Sequence, residues 1–131
     1  MRFLLDVNAL IALAHTDHEA HSTTTKWFAR TAQHAEVFFT CAITELGFAR
    51  VSVQARLEPD VDAAKRTLGE LRKSSSVPFK IVGDDIGIEM LPTAIRGHSS
   101  ITDAHLILLA KKYGAKLATL DTGIEGAELI S

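Results

Sequence analysis

Short apolar runs alternate along the chain with longer stretches whose apolar residues recur every three or four positions. Runs of the first kind read as buried strands, and stretches of the second kind as helices packed by one face. RFLL at 2–5 predicts a strand, and residues 9–14 predict a short helix capped by Asn8. The polar cluster from His15 to Glu19 breaks it, and a helix over 20–32 turns Trp27 and Phe28 inward. EVFFT at 36–40 is rich in β-favouring side chains and predicts a second strand. The next stretch, AITELGFARVSVQARL, predicts a helix with a stripe of Ile43, Leu46, Ala49 and Val53, stopped by Pro59. Asp60 starts another helix, with Val61, Ala64, Leu68 and Leu71 on one face, and the serines at 74–76 end it. FKIV at 79–82 predicts a short strand, residues 84–95 a helix broken near Pro92, and residues 96–100 a loop. ITDAHLILLAKKYG is the clearest helix, closed by Gly114, with Asp103 in its first turn. AKLATLD predicts a buried strand and AELIS a final one. Strands alternating with helices predict an α/β fold, with a mainly parallel sheet in a single domain over 1–131.

Asp6 and Asn8 interrupt this apolar pattern. A carboxylate and an amide wedged into buried-looking sequence need partners. In an open parallel sheet, ligands bind outside the carboxyl ends of the strands. Asp6 and Asp121 each follow an apolar strand at that edge, and helices that follow strands begin there. Glu45 and Asp103 lie near the starts of two such helices, so four acids from distant parts of the chain are expected to converge. Glu45, among Ile43, Leu46, Phe48 and Ala49, is expected to be partly buried and to need a cation or a donor. Four carboxylates at one edge raise each other's pKa, and a divalent cation relieves the repulsion. An all-oxygen ligand set suits a hard ion, Mg²⁺ or Mn²⁺. Asn8 is expected to cap the next helix or to hold the Asp6 carboxylate.

Composition narrows the picture further. Of 131 residues, 47% are hydrophobic and 23% charged, as in an ordinary globular chain. A net charge of -2 makes no global case for nucleic-acid binding, so the placement of each sign matters more than the sum. Cys41 is the only cysteine, which excludes an intrachain disulfide and suits a reducing compartment. No apolar stretch approaches the ~20 residues of a membrane span, and no secretory h-region is visible, so the expectation is a cytoplasmic protein. His15, His18 and His21 straddle a helix break and read as a polar loop rather than a zinc site. His105, two residues from Asp103, points elsewhere on its helix.

The segments LLDVNALIAL, TELGFARV and ITDAHLILLAKKYGAKLATLD resemble PIN-domain ribonucleases, and especially the VapC toxins of bacterial toxin–antitoxin pairs. The resemblance covers essentially the whole chain and implies a PIN-like three-layer α/β/α fold. By position, Asp6, Glu45, Asp103 and Asp121 fall where the family places its acidic cluster. Asn8 falls where the family has a small polar residue after the first acid, and Thr119 matches the family's hydroxyl near the metal. Where some relatives carry a further acid after the last one, this chain has Thr122 and Gly123. The resemblance further implies homodimerisation and a groove for an antitoxin peptide whose basic side chain enters the acidic site.

The implied activity is hydrolysis of RNA by metal-activated water. One or two divalent ions lower the pKa of bound water and relieve charge on the phosphate. Asp6 and Asp103 are the first-choice ligands. Glu45 and Asp121 bind directly or through water, and one of them orients the attacking water as a base. Products then carry 5′-phosphate and 3′-OH ends. Arg96, His98, Ser99 and Ser100, in the loop before Asp103, are the preferred phosphate contacts. Arg50, Arg56, Lys65, Arg66, Arg72 and Lys73 are further candidates. Two other readings stand beside this one. One is a PIN-like nuclease of RNA processing without a toxin role. The other is a non-catalytic receiver-like module, which would need an acid pair and a fixed lysine, and would leave Glu45 without a task.

Overall fold

The computed structural model describes residues 1–95 and 97–131. Five strands, β1 (Arg2–Leu5), β2 (Val37–Cys41), β3 (Phe79–Val82), β4 (Lys116–Thr119) and β5 (Glu128–Leu129), form one sheet in the order β3-β2-β1-β4-β5. Every pairing is parallel. Five helices accompany them: α1 (Val7–Ala14), α2 (His21–Ala32), α3 (Ala42–Gln54), α4 (Val61–Ser74) and α5 (Ser99–Lys112). The chain builds β2 and β3 outward on one side of β1, then returns to add β4 and β5 on the other. The reversal opens a crevice between β1 and β4 at their carboxyl ends, the place where such sheets bind ligands.

The central strands are apolar on both faces because helices cover both. Alternation divides their side chains between two cores. Phe3, Leu5 and Phe38 pack with Leu10, Trp27, Phe48 and Leu68 under α1 to α4. Leu4, Val37, Phe39 and Cys41 pack with Leu106, Leu109 and Leu117 under α5. Phe38, fully buried, stacks on Phe28 with ring centroids 4.5 Å apart. Burial of one such ring contributes about 1.5–3 kcal/mol. This is the three-layer α/β/α arrangement expected of the chain.

Four local expectations need correction. Asp6, not Asn8, caps α1: its carboxylate accepts the Val7 N–H at 2.8 Å, which frees Asn8 for a tertiary role. Residues 84–95 form no helix beyond one 3-10 turn at Ile88–Met90. Asp84 and Asp85 are drawn instead to His105 and Lys112 of α5, at 2.6 and 2.5 Å. α5 starts at Ser99, so His98 is its cap position and Asp103 falls in its second turn. In α3 the expected stripe faces outward: Ile43 and Leu46 are exposed, while Thr44, Gly47, Phe48 and Ser52 are buried.

The α3 reversal has a steric cause. α1 lies so close to α3 that a Cβ on Gly47 would meet Val7 Cγ2 at 2.6 Å. Only a face with glycine at that point lets the two helices meet. The first helix after Asp6 and the helix carrying Glu45 are thereby held together. Gly114, at φ +65°, ends α5 in a left-handed conformation as expected.

Candidate active site

Leu5 of β1 pairs with Ala118 of β4, so the next residues along, Asp6 and Thr119, lie side by side at the carboxyl edge. The Asp6 N–H donates to the Ala118 carbonyl at 3.0 Å and extends the ladder to this point. Thr119 is fully buried, and its hydroxyl uses every bond it can make. It donates to Asp6 Oδ2 at 2.8 Å and accepts from Asn8 Nδ2 and from the Asp121 N–H, both at 3.1 Å. Asn8 Oδ1 in turn accepts the Leu120 N–H at 3.0 Å. Asn8 thus holds Asp6 through Thr119 and straps β4 to α1. A closed network of this kind fixes the direction of the Asp6 carboxylate.

Asp103 reaches the same edge from α5. Burial pushes the Asp6 carboxyl above the ordinary aspartate range. The bonds from Thr119 and Val7 pull it back in part, and the Asp121 charge adds to the rise. Asp103 is also pushed up, first by burial and then by the charges of Asp6 and Asp121. The charge of Asp121 thus acts on both raised carboxyls, and that of Asp6 acts on Asp103 as well.

Glu45 is engaged differently. Its Oε2 accepts from the Thr40 hydroxyl at 2.5 Å and pairs with the Arg72 guanidinium from the last turn of α4. The charges of neighbouring aspartates add to the rise at Asp6 and Asp103. Glu45, the fourth acid expected at this edge, is paired with Arg72. His98, Ser99 and Ser100 are exposed at the start of α5, and Ser100 shares a cleft of about 420 Å³ with Asp103. Arg96 lies outside the described residues.

Among the described residues, no three acid, imidazole or thiol side chains are drawn together closely enough to hold an ion as they stand. The donor chemistry nevertheless fits a hard cation: three carboxylates whose mutual repulsion a divalent charge relieves, beside a buried hydroxyl and an amide. Each imidazole of the 15–21 segment has its own local bond: His15 with Ser52, His18 with the Ala20 N–H, His21 with the Ala12 carbonyl.

The PIN domain family matches residues 3–128. The chain is similar to Ribonuclease VapC38 of Mycobacterium tuberculosis, at 38% identity over 92% of this chain and 86% of that protein. It is also similar to Ribonuclease VapC39 of the same species, at 30% identity over 95% of this chain and 91% of that one. The chain belongs to the PIN-domain family. Within the family it falls among the VapC ribonucleases. The fold agrees: a crystal structure of Mycobacterium tuberculosis VapC20, a Sarcin-Ricin loop cleaving toxin, superposes with a TM-score of 0.67. That match covers 98% of this chain and 99% of the other at 16% identity.

In this PIN domain, sequence reasoning missed two things at the site. Thr40 was read only as part of a strand, though a hydroxyl at a strand's carboxyl end is a signal of polar work there. Arg72 is one of seven lysines and arginines that suit RNA contact by sequence, and nothing in its neighbourhood singles it out as the partner of Glu45. His105, expected to point away from Asp103, does so and pairs with Asp84.

Proposed function

We propose that this chain is a Mg²⁺-dependent endoribonuclease and the toxin of a toxin–antitoxin pair, and that residues 1–131 work as a single unit. The observation that carries the reading is the set of Asp6, Asp103 and Asp121 at the switch point of the sheet, each buried or placed so that their charges conflict. Membership among the VapC ribonucleases supports the RNA substrate, the metal dependence and the antitoxin.

Asp6, Asp103 and Asp121 hold the cation, and Glu45 acts at the same edge. Mg²⁺ is the favoured ion, and Mn²⁺ suits the same all-oxygen set. When bound, the cation lowers the pKa of water and relieves charge on the phosphoryl group. Thr119 and Asn8 keep Asp6 aimed. His98, Ser99 and Ser100, with Arg96, contact phosphates beside the cleft. In the reaction, water oxygen bonds to phosphorus as the bond to the 3′-oxygen breaks. The water gives up a proton and the leaving oxygen takes one, so the products carry 5′-phosphate and 3′-OH ends.

The antitoxin peptide is assigned to the pocket between α3 and α4, whose lining includes Glu45, Leu46, Ala49, Val61 and Leu68. Homodimerisation is supported by the exposed apolar side chains Ile43, Ile88, Met90 and Ile101. No helix among the described residues is long and apolar enough to cross a membrane. A lone, buried cysteine suits the cytoplasm.

The test is cleavage of a pool of tRNA, rRNA and mRNA by antitoxin-free wild type and Asp6→Ala, with Mg²⁺ and with EDTA. Cleavage that requires both the ion and Asp6 and leaves 5′-phosphate ends is expected. Folded wild type that cleaves none of these RNAs with Mg²⁺ present refutes the reading.

A further inference from the structure

Glu45 is held by one oxygen. The Thr40 hydroxyl, fully buried at the carboxyl end of β2, donates to Oε2. The Arg72 guanidinium meets that same oxygen through a single terminal nitrogen. Among the described residues, Oε1 accepts no hydrogen bond. Arginine frequently takes both oxygens of a carboxylate through its planar fork. Here two donors converge on one oxygen and leave the other open.

The pair also bears on charge. Glu45 is half-buried, and a partly buried carboxylate needs a compensating cation. Arg72 is that cation and carries its charge at every working pH. A glutamate already neutralised in this way adds little to the negative edge made by the three aspartates and has little electrostatic pull on a divalent ion.

We infer that Arg72 is a positioning residue for RNA cleavage. Together with Thr40 it fixes Glu45 by Oε2, cancels its charge, and leaves Oε1 as an oriented acceptor for the attacking water, outside the group of carboxylates that hold the cation. The inference rests on the nuclease reading above and assigns the four acids two different tasks: three bind the ion, and one orients the attacking water by accepting its hydrogen bond.

The test uses the full chain and the variants Arg72→Gln, Arg72→Lys, Glu45→Gln, the double Arg72→Gln/Glu45→Gln, and Asp103→Asn. Thermal melts establish that each is folded, and Thr40→Val replaces Arg72→Gln if that variant fails to fold. Calorimetric titration with Mg²⁺ gives a readout that needs no RNA. Glu45→Gln is expected to bind Mg²⁺ within about twofold of wild type, while Asp103→Asn binds at least about tenfold more weakly. Arg72→Gln is expected to bind about two- to fivefold more tightly, because the Glu45 charge is no longer cancelled, and the double variant loses that gain. In single-turnover cleavage at saturating RNA and Mg²⁺, Arg72→Gln and Glu45→Gln are each expected to slow the reaction about 100-fold. KM should change little, the double should be no slower than Glu45→Gln, and Arg72→Lys should recover part of the loss.

Weakened Mg²⁺ binding by Glu45→Gln, to the degree seen with Asp103→Asn, overturns the inference. So does faster cleavage by Arg72→Gln, which would make the pair a latch. Losses that multiply in the double, or that fall on KM alone, also overturn it, since they would make Arg72 a direct phosphate contact. Wild type that binds Mg²⁺ and cleaves no RNA refutes the nuclease reading and, with it, the role of Oε1. Wild-type cleavage matched by Arg72→Gln refutes the inference and leaves the nuclease reading standing.

Discussion

Replacing Thr119 by valine removes one oxygen and keeps the shape of the side chain, so no cavity forms at this fully buried position. Three hydrogen bonds go with the oxygen: the one given to Asp6 and those taken from Asn8 and the Asp121 N–H. A bond to a charged group contributes about 1.5–3 kcal/mol net. Asn8 is half-buried and Asp121 exposed, so their freed donors regain water and each loss costs at most about 1 kcal/mol. The added methyl returns about 1 kcal/mol. The net destabilisation is therefore about 0.5–4 kcal/mol, a fall in Tm of about 2–15 °C for a chain of this size. The same change removes the bond that holds the Asp6 carboxyl down, so burial pushes it further up and the carboxylate becomes a poorer ligand. Cation affinity should fall about 10- to 100-fold, as for other residues that orient a ligand. Thermal melts and Mg²⁺ calorimetry on wild type and Thr119→Val measure both effects. A Tm within about 2 °C of wild type, with unchanged Mg²⁺ affinity, would show that the network around Thr119 neither secures the fold nor aims Asp6.

Gly47→Ala places a methyl against Val7, so it should cost about 1–3 kcal/mol in urea unfolding despite alanine's better helix propensity. Val7→Ala in the same chain should restore most of the loss, and a single Gly47→Ala more stable than wild type would contradict the close approach of α1 and α3. Asp103→Asn should melt higher than wild type at pH 7 without divalent ions. The sign follows from a folded-state pKa raised above the unfolded one. The folded chain holds that proton more tightly, so stability falls as pH rises from the unfolded to the folded pKa and stays lower above it. The advantage of Asp103→Asn should accordingly fade as pH drops toward about 3, and equal melting of the two proteins at every pH would argue against the crowding of the three aspartates. Mg²⁺ should stabilise wild type by about 2.7 kcal/mol at one hundred times its Kd and leave Asp6→Asn unmoved. An equal shift in both proteins would assign the effect to ionic strength.

Periodicity along the chain determined the strands, most of the helices and the α/β class, because an apolar run or stripe records local burial wherever it ends up. It also determined the edge at which Asp6 and Asp121 emerge, since a polar residue closing an apolar strand marks the strand's carboxyl end. The same local signal failed where burial depends on a neighbour. The outward turn of Ile43 and Leu46 follows from the contact of Gly47 with Val7, forty residues apart in the chain. The loss of the helix expected at 84–95 follows from Asp84 and Asp85 finding His105 and Lys112 on α5. Partners at the site were decided only by the tertiary structure. Asn8 meets Thr119 across 111 residues, and Glu45 meets Arg72 across 27, because the sheet order sets β4 against β1 and helix packing sets α4 against α3. Residue types along a chain state which side chains need partners. Which partner answers depends on distances that exist only once the layers have packed.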